Sequence, residues 1–189
     1  EAPPAAAHRA MRVVRAAAAS RGLDAEDIAV MGFSAGGHVA ARLATGFDTP
    51  AYPPADAAVW LSARPSRAVL VYPVIDMGPH AHSGSRLRLI GEPADAALVG
   101  RYSMQDQVRA DMPPTLLLHA ADDRVVSVDN SLLMARALAA AGVEHELHVF
   151  AHGGHGFGMR AAADSTTALW PDIAQRWLRA QTQTPEGHP

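Results

Sequence analysis

The sequence contains no cysteine, which excludes disulfide bonds and thiolate chemistry and leaves the redox compartment undetermined. No apolar run approaches the ~20 residues that a membrane span needs. Neither sign of charge dominates, because 16 basic and 19 acidic residues are well mixed and give a net charge of −3. We therefore expect no membrane and no nucleic acid among the partners of this chain.

An initiator methionine is also absent, since the chain opens with Glu1-Ala2-Pro3-Pro4 and no signal-peptide pattern follows. We expect residue 1 to be an internal point of a longer protein, so the localisation stays unknown from this end. With 189 residues, 49% of them hydrophobic, the chain can bury one sizeable core. It is predicted to form a single domain over residues 1–189.

Apolar runs of strand character alternate with helical sequence along the chain. Strands are predicted at 28–33, 68–72, 115–119 and 145–150. Helices are predicted at 8–20, 35–45, 129–141, with Asp129 as the cap, and within 164–180, where Pro171 sets the start. This alternation predicts an α/β fold in which helices cover both faces of a parallel sheet.

The first predicted strand ends on a serine between glycines, in the sequence Gly32-Phe33-Ser34-Ala35-Gly36. In a G-x-S-x-G motif, the serine occupies a strained strand-to-helix turn, and we expect Gly32 and Gly36 because larger side chains would collide there. The backbone N–H of Ala35, at the positive end of the following helix, can stabilise an oxyanion. The alternative is an ordinary strand-to-helix loop without a catalytic role.

A base and an orienting acid follow the later strands, in the order Ser, Asp, His that such sheets use. Asp123 comes after the third strand, and His155 lies in the glycine-rich loop after the fourth. We expect His155 to take the proton of Ser34 while Asp123 fixes the imidazole tautomer and stabilises its cation. Asp122 is predicted to be structural.

The remaining histidines near these strands are predicted to be ordinary strand or loop residues, namely His119, His145, His148 and His152. A metal site using His152 and His155 is not favoured, because the two are three residues apart and no further acidic or thiol ligand has zinc-site spacing. Neither a metal nor a cofactor is expected.

Residues 76–112 are punctuated by glycine and proline, with helical patches at 94–100 and 104–109. We expect a cap-like excursion of loops and helices over the strand ends, where loops usually shape the substrate site. Candidates for recognition of the leaving group in this segment are Met77, His80, His82, Arg86, Arg88 and Tyr102.

Several of these motifs together resemble one family. They are Met31-Gly32-Phe33-Ser34-Ala35-Gly36-Gly37-His38, Tyr72-Pro73-Val74-Ile75, His119-Ala120-Ala121-Asp122-Asp123 with Asn130-Ser131, Gly153-Gly154-His155-Gly156-Phe157-Gly158, and Trp170-Pro171. Over residues 8–180 the chain is similar to α/β-hydrolase esterases of the acetyl-xylan-esterase or feruloyl-esterase-like group. The resemblance implies a triad of Ser34, Asp123 and His155 and hydrolysis of short acyl esters, commonly acetyl groups on sugars, as in xylan degradation.

The chain departs from that family before Ser34. Family members begin with further strands and a His-Gly-Gly or Gly-Gly-rich loop, which supplies the second oxyanion donor, and this chain has neither. It therefore resembles the C-terminal half of the fold, with the N-terminal strands missing. We expect an open edge at strand 28–33, covered by an N-terminal fragment or a second copy, and weak activity at best from residues 1–189 alone.

Two other functions remain open from the sequence. One is a peptidase of the prolyl-oligopeptidase type, which shares the Ser, Asp, His order but resembles this chain less around Asp123 and His155. The other is a truncated, non-catalytic hydrolase that serves as a binding module.

Overall fold

The computed structural model describes residues 2–49, 52–53 and 56–181. Four parallel strands form one sheet in chain order: β1 (Val30–Phe33), β2 (Ala68–Val71), β3 (Thr115–Ala120) and β4 (His145–Phe150). Each strand matches a predicted one to within two residues at either end. Parallel neighbours need a crossover, and every connection here is long enough to provide one.

Six α-helices connect or flank these strands in the described residues. They are α1 (Ala2–Ala17), α2 (Ala35–Thr45), α3 (Ser83–Ile90), α4 (Ala96–Tyr102), α5 (Asp129–Ala140) and α6 (Trp170–Gln181). Short 3-10 turns occupy Ala19–Arg21, Ala57–Trp60, Met104–Gln107, Gly158–Arg160 and Thr166–Leu169. Within the described ranges, none of these helices has both the length and the apolar character to cross a lipid bilayer.

Helices cover both faces of the sheet. On one face, α2 and α5 pack on the sheet through a cluster that includes Leu70 of β2 and Leu117 of β3. On the other, Trp170 and Trp177 of α6 pack against neighbours such as Leu118. The alternation of side chains along each strand therefore feeds two separate apolar layers. The predicted α/β fold, a parallel sheet covered on both faces, is confirmed.

β1 is the first strand of the sheet and pairs on one side with β2. On the face that looks toward α6, Met31 and Phe33 are 44% and 36% exposed, whereas all four residues of β2 are buried. A groove of about 510 Å³ runs between this end of the sheet and α6. The described sheet thus presents a partly apolar margin at β1.

Three expectations about the helices were wrong: one start, one missing helix and one cap. α1 begins at Ala2 rather than at residue 8, since prolines are tolerated in a first helical turn, where the N–H groups have no intrahelical acceptor. α3 was not predicted at all; it begins after His82, whose ring accepts from the backbone N–H of Ser85. Asp129 is the first residue of α5 and does not cap it, and its carboxylate accepts from the Ser127 hydroxyl instead.

Buried polar contacts tie the start of segment 76–112 to the sheet. Asn130 accepts from the backbone N–H groups of Ile75 and Asp76 and donates to the carbonyl of His80. The carboxylate of Asp76 accepts from four groups: the N–H of Gly78, the N–H of His80, the Ser103 hydroxyl and the Gln105 amide. This network fixes the chain where it leaves the end of β2, beside the predicted nucleophile.

Candidate active site

Ser34 lies at the turn between β1 and α2 in a strained conformation, with φ 52° and ψ −121°. Non-glycine residues rarely adopt positive φ, and such strain is typical of functional turns. The turn is locked by bonds on either side: the Ser34 N–H donates to the Val71 carbonyl, and the Val74 N–H donates to the Ser34 carbonyl. The serine side chain is thereby held at the carboxyl end of the sheet.

The glycines that permit this turn are not quite the predicted pair. A Cβ at Gly32 would lie 2.3 Å from the carbonyl oxygen of Gly36, so glycine is required there. The same expectation for Gly36 was wrong, because a Cβ at that position would meet nothing within 4 Å. Gly37 is the second crowded position instead, with a Cβ there only 2.7 Å from the side chain of Pro73.

The structure brings Ser34, His155 and Asp123 together, although 121 residues separate the serine from the histidine. The Ser34 hydroxyl lies 2.8 Å from Nε2 of His155, and Nδ1 of His155 lies 2.7 Å from Oδ2 of Asp123. Because a carboxylate only accepts, Nδ1 carries the proton and Nε2 accepts from the serine. This is the hydrogen-bonded order that activation of a serine requires.

Glycines shape the loop that carries His155. Gly154 and Gly156, on either side of the histidine, have φ of 60° and 78°, the left-handed region that favours glycine. Asp122 secures the loop, since its carboxylate accepts from the Gly154 N–H at 2.8 Å. Asp122 has the structural position that was predicted for it, and His152 lies beside it, 3.5 Å from its carboxylate.

Asp123 is oriented from both of its oxygens. Oδ1 accepts from the backbone N–H groups of Val125 and Val126, each at 2.9 Å, while Oδ2 faces His155. The Asp123 side chain is fully buried, and that of His155 is 18% exposed. The acid is therefore shielded from water, while the imidazole reaches the surface at which a substrate would arrive.

The description of His119 as an ordinary strand residue was wrong. Its ring is fully buried, with Nε2 3.0 Å from the Val126 carbonyl and 3.3 Å from Oδ2 of Asp123. Since the carbonyl only accepts, Nε2 carries the proton, and Nδ1 accepts from the Ser131 hydroxyl at 2.8 Å. Burial lowers the pKa of His119. A neutral imidazole thus lies against Oδ2 of Asp123 and supports it.

Tyr72, to which the sequence analysis assigned no role at the site, packs directly on the candidate base. Its ring centroid lies 5.0 Å from that of His155 and 4.7 Å from that of Phe157. Its φ of 37° makes it the second non-glycine residue with positive φ in the described chain. Burial raises the pKa of Tyr72, which keeps the phenol neutral beside the histidine.

The predicted oxyanion donor is accessible. Ala35 is exposed and is the first residue of α2, so its N–H has no intrahelical acceptor. A cavity of about 280 Å³ opens beside it, between α2 and α3. The backbone N–H of Ala35 therefore lies next to Ser34 and next to a cavity that can hold a small group.

The candidate recognition residues of segment 76–112 divide into two groups. Met77 and Arg88 line the cavity beside Ala35. The other four do not line it. His80 lies 3.3 Å from Asp129, His82 caps α3, and Tyr102 is buried beneath the guanidinium of Arg42. Arg86 is half-buried.

Within the part of the chain that the structure describes, no group of three or more His, Cys, Asp or Glu side chains could hold a metal ion.

Comparison with known proteins places this geometry in a family. The model of the Prolyl oligopeptidase family matches residues 8–181. Among solved structures, the chain is similar to the acetyl ester-xyloside bifunctional hydrolase from Caldicellulosiruptor lactoaceticus, with a TM-score of 0.87, 40% identity and coverage of 95% of this chain and 65% of that one. This and the other neighbours, among them α/β hydrolases, support the α/β-hydrolase fold.

Two curated relatives agree with this similarity. Endo-1,4-beta-xylanase B of Butyrivibrio fibrisolvens is 38% identical over 168 residues, which are 86% of this chain and 25% of the xylanase. Acetylxylan esterase of Xylanibacter ruminicola is 33% identical over 174 residues, which are 89% of this chain and 34% of the esterase. The chain thus spans between a quarter and about a third of the curated relatives that it matches.

Proposed function

The chain belongs to the prolyl oligopeptidase family, and from that membership and the geometry at Ser34 we propose that it is the triad-bearing part of a serine hydrolase that cleaves carboxylic esters. The observation that carries the proposal is the continuous hydrogen-bonded series from Ser34 through His155 to the buried Asp123. Three groups that are far apart in sequence meet in the one order that activates a serine hydroxyl.

In the proposed mechanism, Oγ of Ser34 attacks the ester carbonyl while its proton passes to Nε2 of His155. The new C–O bond makes a tetrahedral intermediate, and its oxyanion accepts from the N–H of Ala35. His155 then returns the proton to the departing alcohol, which leaves an acyl-enzyme on Ser34. A water molecule then attacks the acyl-enzyme while its proton passes to His155. His155 returns the proton to Oγ of Ser34 as the acid leaves.

The supporting residues have separate parts in this mechanism. Asp123 stabilises the imidazolium without taking its proton. His119, held neutral by burial, donates toward the same carboxylate and orients it. Tyr72 covers one side of the His155 ring. A second oxyanion donor would come from sequence outside residues 1–189, and without it the rate would fall by ~10²- to 10³-fold.

We propose short acyl groups on carbohydrate, acetyl groups above all, as the substrate class. The support is the similarity to an acetylxylan esterase and to an acetyl ester-xyloside bifunctional hydrolase. The test is release of acetate from acetylated xylo-oligosaccharides by the full-length protein, against release of longer acyl groups from p-nitrophenyl esters. Preference for octanoate over acetate would contradict the proposal.

A peptidase is the second candidate function, and the family match itself favours it. Amide hydrolysis requires protonation of a poorer leaving group, and the histidine of the triad can donate that proton. The same triad could therefore serve either reaction. The discriminating assay compares p-nitrophenyl acetate with a proline p-nitroanilide at equal protein concentration. Faster turnover of the anilide would favour the peptidase, and turnover of neither would favour the binding module.

The margin at β1 supports a proposal about partners. Edge strands that expose apolar side chains usually pair with another segment, and Met31 and Phe33 are exposed there. We propose that an upstream segment of a longer protein or a second copy of the chain covers this edge. Light scattering of residues 1–189, with and without the upstream sequence, separates the two: a monomer that is equally soluble in both forms would contradict both.

A further inference from the structure

The cavity beside Ala35 has a composition that ester hydrolysis alone does not explain. Its walls include the apolar side chains of Val39, Val74 and Leu89, contributed by α2, the segment after β2, and α3. Its volume of about 280 Å³ is below the range of pockets for drug-sized ligands and suits one small ring or a short chain. A small part of a substrate bound at Ser34 could enter it.

One buried polar side chain in this cavity lacks a good partner. His38 is 7% exposed and lines the cavity, and neither ring nitrogen makes a hydrogen bond of ordinary geometry within the described residues. Burial lowers the pKa of His38 to about 4; the Val74 carbonyl opposes this shift in part, and Arg42 adds to it. The imidazole is thus neutral, with a single N–H that faces the Val74 carbonyl, and it adds no negative charge to the cavity.

Two arginines also line the cavity, one from each helix. Arg42 of α2 lies over the ring of Tyr102, with 4.8 Å between its Cζ and the ring centroid, and Arg88 belongs to the last turn of α3. No carboxylate of the described residues pairs with either of them, whereas Arg109 pairs with Asp48 and Asp111. Among the residues that the structure describes, no acidic side chain lines the cavity.

We propose that this cavity is a subsite for a carboxylate group of the substrate, held by Arg42 and Arg88. Guanidinium groups suit carboxylates because their N–H donors match the two oxygens. The apolar walls would pack on the carbons that bear the carboxylate. This inference rests on the proposed esterase function, and it narrows the substrate to an ester that also carries a negative charge.

The carboxylate could belong to either part of the ester. On the alcohol side it would be that of an acetylated uronic acid, and on the acyl side that of a half-ester of a dicarboxylic acid. Two substrate pairs distinguish them in the full-length protein: acetylated methyl glucuronoside against acetylated methyl glucoside, and p-nitrophenyl hemisuccinate against p-nitrophenyl butyrate. We expect kcat/KM at least tenfold higher for the charged member of one pair, and that pair identifies the source.

Arg88→Gln is the main test variant, because Arg88 is exposed and its removal leaves no buried group unpaired. The charged-to-neutral ratio of kcat/KM should fall about tenfold, through the KM of the charged substrate. Arg42→Gln should act in the same direction, although loss of its contact with Tyr102 could lower stability. Arg86→Gln is the matched control, since it removes the same charge from the same helix outside the cavity.

Binding to the Ser34→Ala variant separates this inference from the proposed function. Methyl glucuronoside and succinate would be titrated calorimetrically, with methyl glucoside and butyrate as neutral controls; we expect a charged ligand to bind and Arg88→Gln to weaken it about tenfold. Equal affinity for charged and neutral ligands, or a ratio that Arg88→Gln leaves unchanged, would overturn the subsite. Absence of any esterase activity alongside intact carboxylate binding would overturn the proposed function alone.

Discussion

The turn at Ser34 and the segment 76–112 are held in place by different means. At Ser34 the backbone is confined by contacts between glycines, such as the close approach of Gly32 to the Gly36 carbonyl. Segment 76–112 is held by a buried carboxylate and a buried amide, those of Asp76 and Asn130, which between them accept from six donors. The turn at Ser34 requires positions without a Cβ, whereas segment 76–112 requires its buried hydrogen bonds.

We infer from this difference that the turn at Ser34 serves the catalytic step and that segment 76–112 serves substrate selection. The steric turn tolerates few sequences and places one hydroxyl, so it suits a constant catalytic step. A hydrogen-bonded segment can keep its anchor while residues such as Arg88 and Leu89 of α3 change freely. We expect substitutions at the turn to abolish folding or catalysis. Substitutions in the segment should change stability or substrate preference by smaller amounts.

Ser34→Ala should have the largest effect. It removes the nucleophile, so kcat for ester hydrolysis should fall on the order of 10⁴- to 10⁶-fold. The Ser34 side chain makes no capping bond to α2, so the urea midpoint should not change. Steady-state hydrolysis and urea unfolding of the same sample test both parts, and retention of a tenth of the wild-type rate would contradict the assignment.

Gly32→Ala should disrupt the turn itself. Its Cβ would lie 2.3 Å from a backbone oxygen that cannot move away without breaking the turn, and we expect at least about 3 kcal/mol of destabilisation. Gly36→Ala is the matched control, because its Cβ meets nothing, and alanine in a helix gains up to about 1 kcal/mol over glycine. Equal unfolding free energies for the two variants would refute the steric account.

His38 should make stability depend on pH. Its folded pKa, about 4, is below its ordinary value, so the unfolded chain binds the extra proton and the folded state loses stability as pH falls through 6.5 toward 4. Between pH 7 and 4.5 this loss should reach about 2 to 3 kcal/mol. His38→Gln should reduce the loss by that amount in urea unfolding at the two pH values; an unchanged loss would show that the imidazole is not desolvated.

Asp76→Asn should have the smallest effect of the four, about 1 to 2 kcal/mol at pH 7, since an amide NH₂ would face donors. Burial acts to raise the pKa of Asp76, but hydrogen bonds from His80, Gly78, Gln105 and Ser103 outweigh it, so the pKa is lowered. This stabilisation is present above about pH 4 and disappears as pH falls through the folded pKa. The difference in the free energy of unfolding between the wild type and Asp76→Asn should therefore decrease at acid pH.

The exposed Asp164 supplies the control for that comparison. Asp164→Asn removes the same charge from an exposed residue, so it should change the free energy of unfolding by less than about 0.5 kcal/mol. A similar loss in both variants would mean that the Asp76 network does not hold the segment.

The two regions also differ in how far they could be predicted. The strands and the positions of Ser34, Asp123 and His155 follow from apolar runs and from the rule that groups after parallel strands meet at one edge. The catalytic roles of those three residues stay a prediction until they are tested. Such local patterns need only neighbouring residues, which is why they can be read from one sequence.

Contacts between distant residues could not be predicted in the same way. His119 supports Asp123 only because the chain after β3 turns back over it, and Arg42 shares a cavity with Arg88 only because α3 packs near α2. Gly37 is crowded by Pro73, which is 36 residues away and gives no signal in the turn motif. Long-range packing decides these positions, and no local pattern encodes it.

The most direct test of the central claim is covalent labelling of Ser34 in the full-length protein by an organophosphonate, followed by intact mass and peptide mapping. An assembled series of Ser34, His155 and Asp123 predicts one adduct per chain, on Ser34, and labelling at least 10²-fold slower in His155→Ala. No adduct on Ser34, or equally fast labelling of the wild type and His155→Ala, would contradict it.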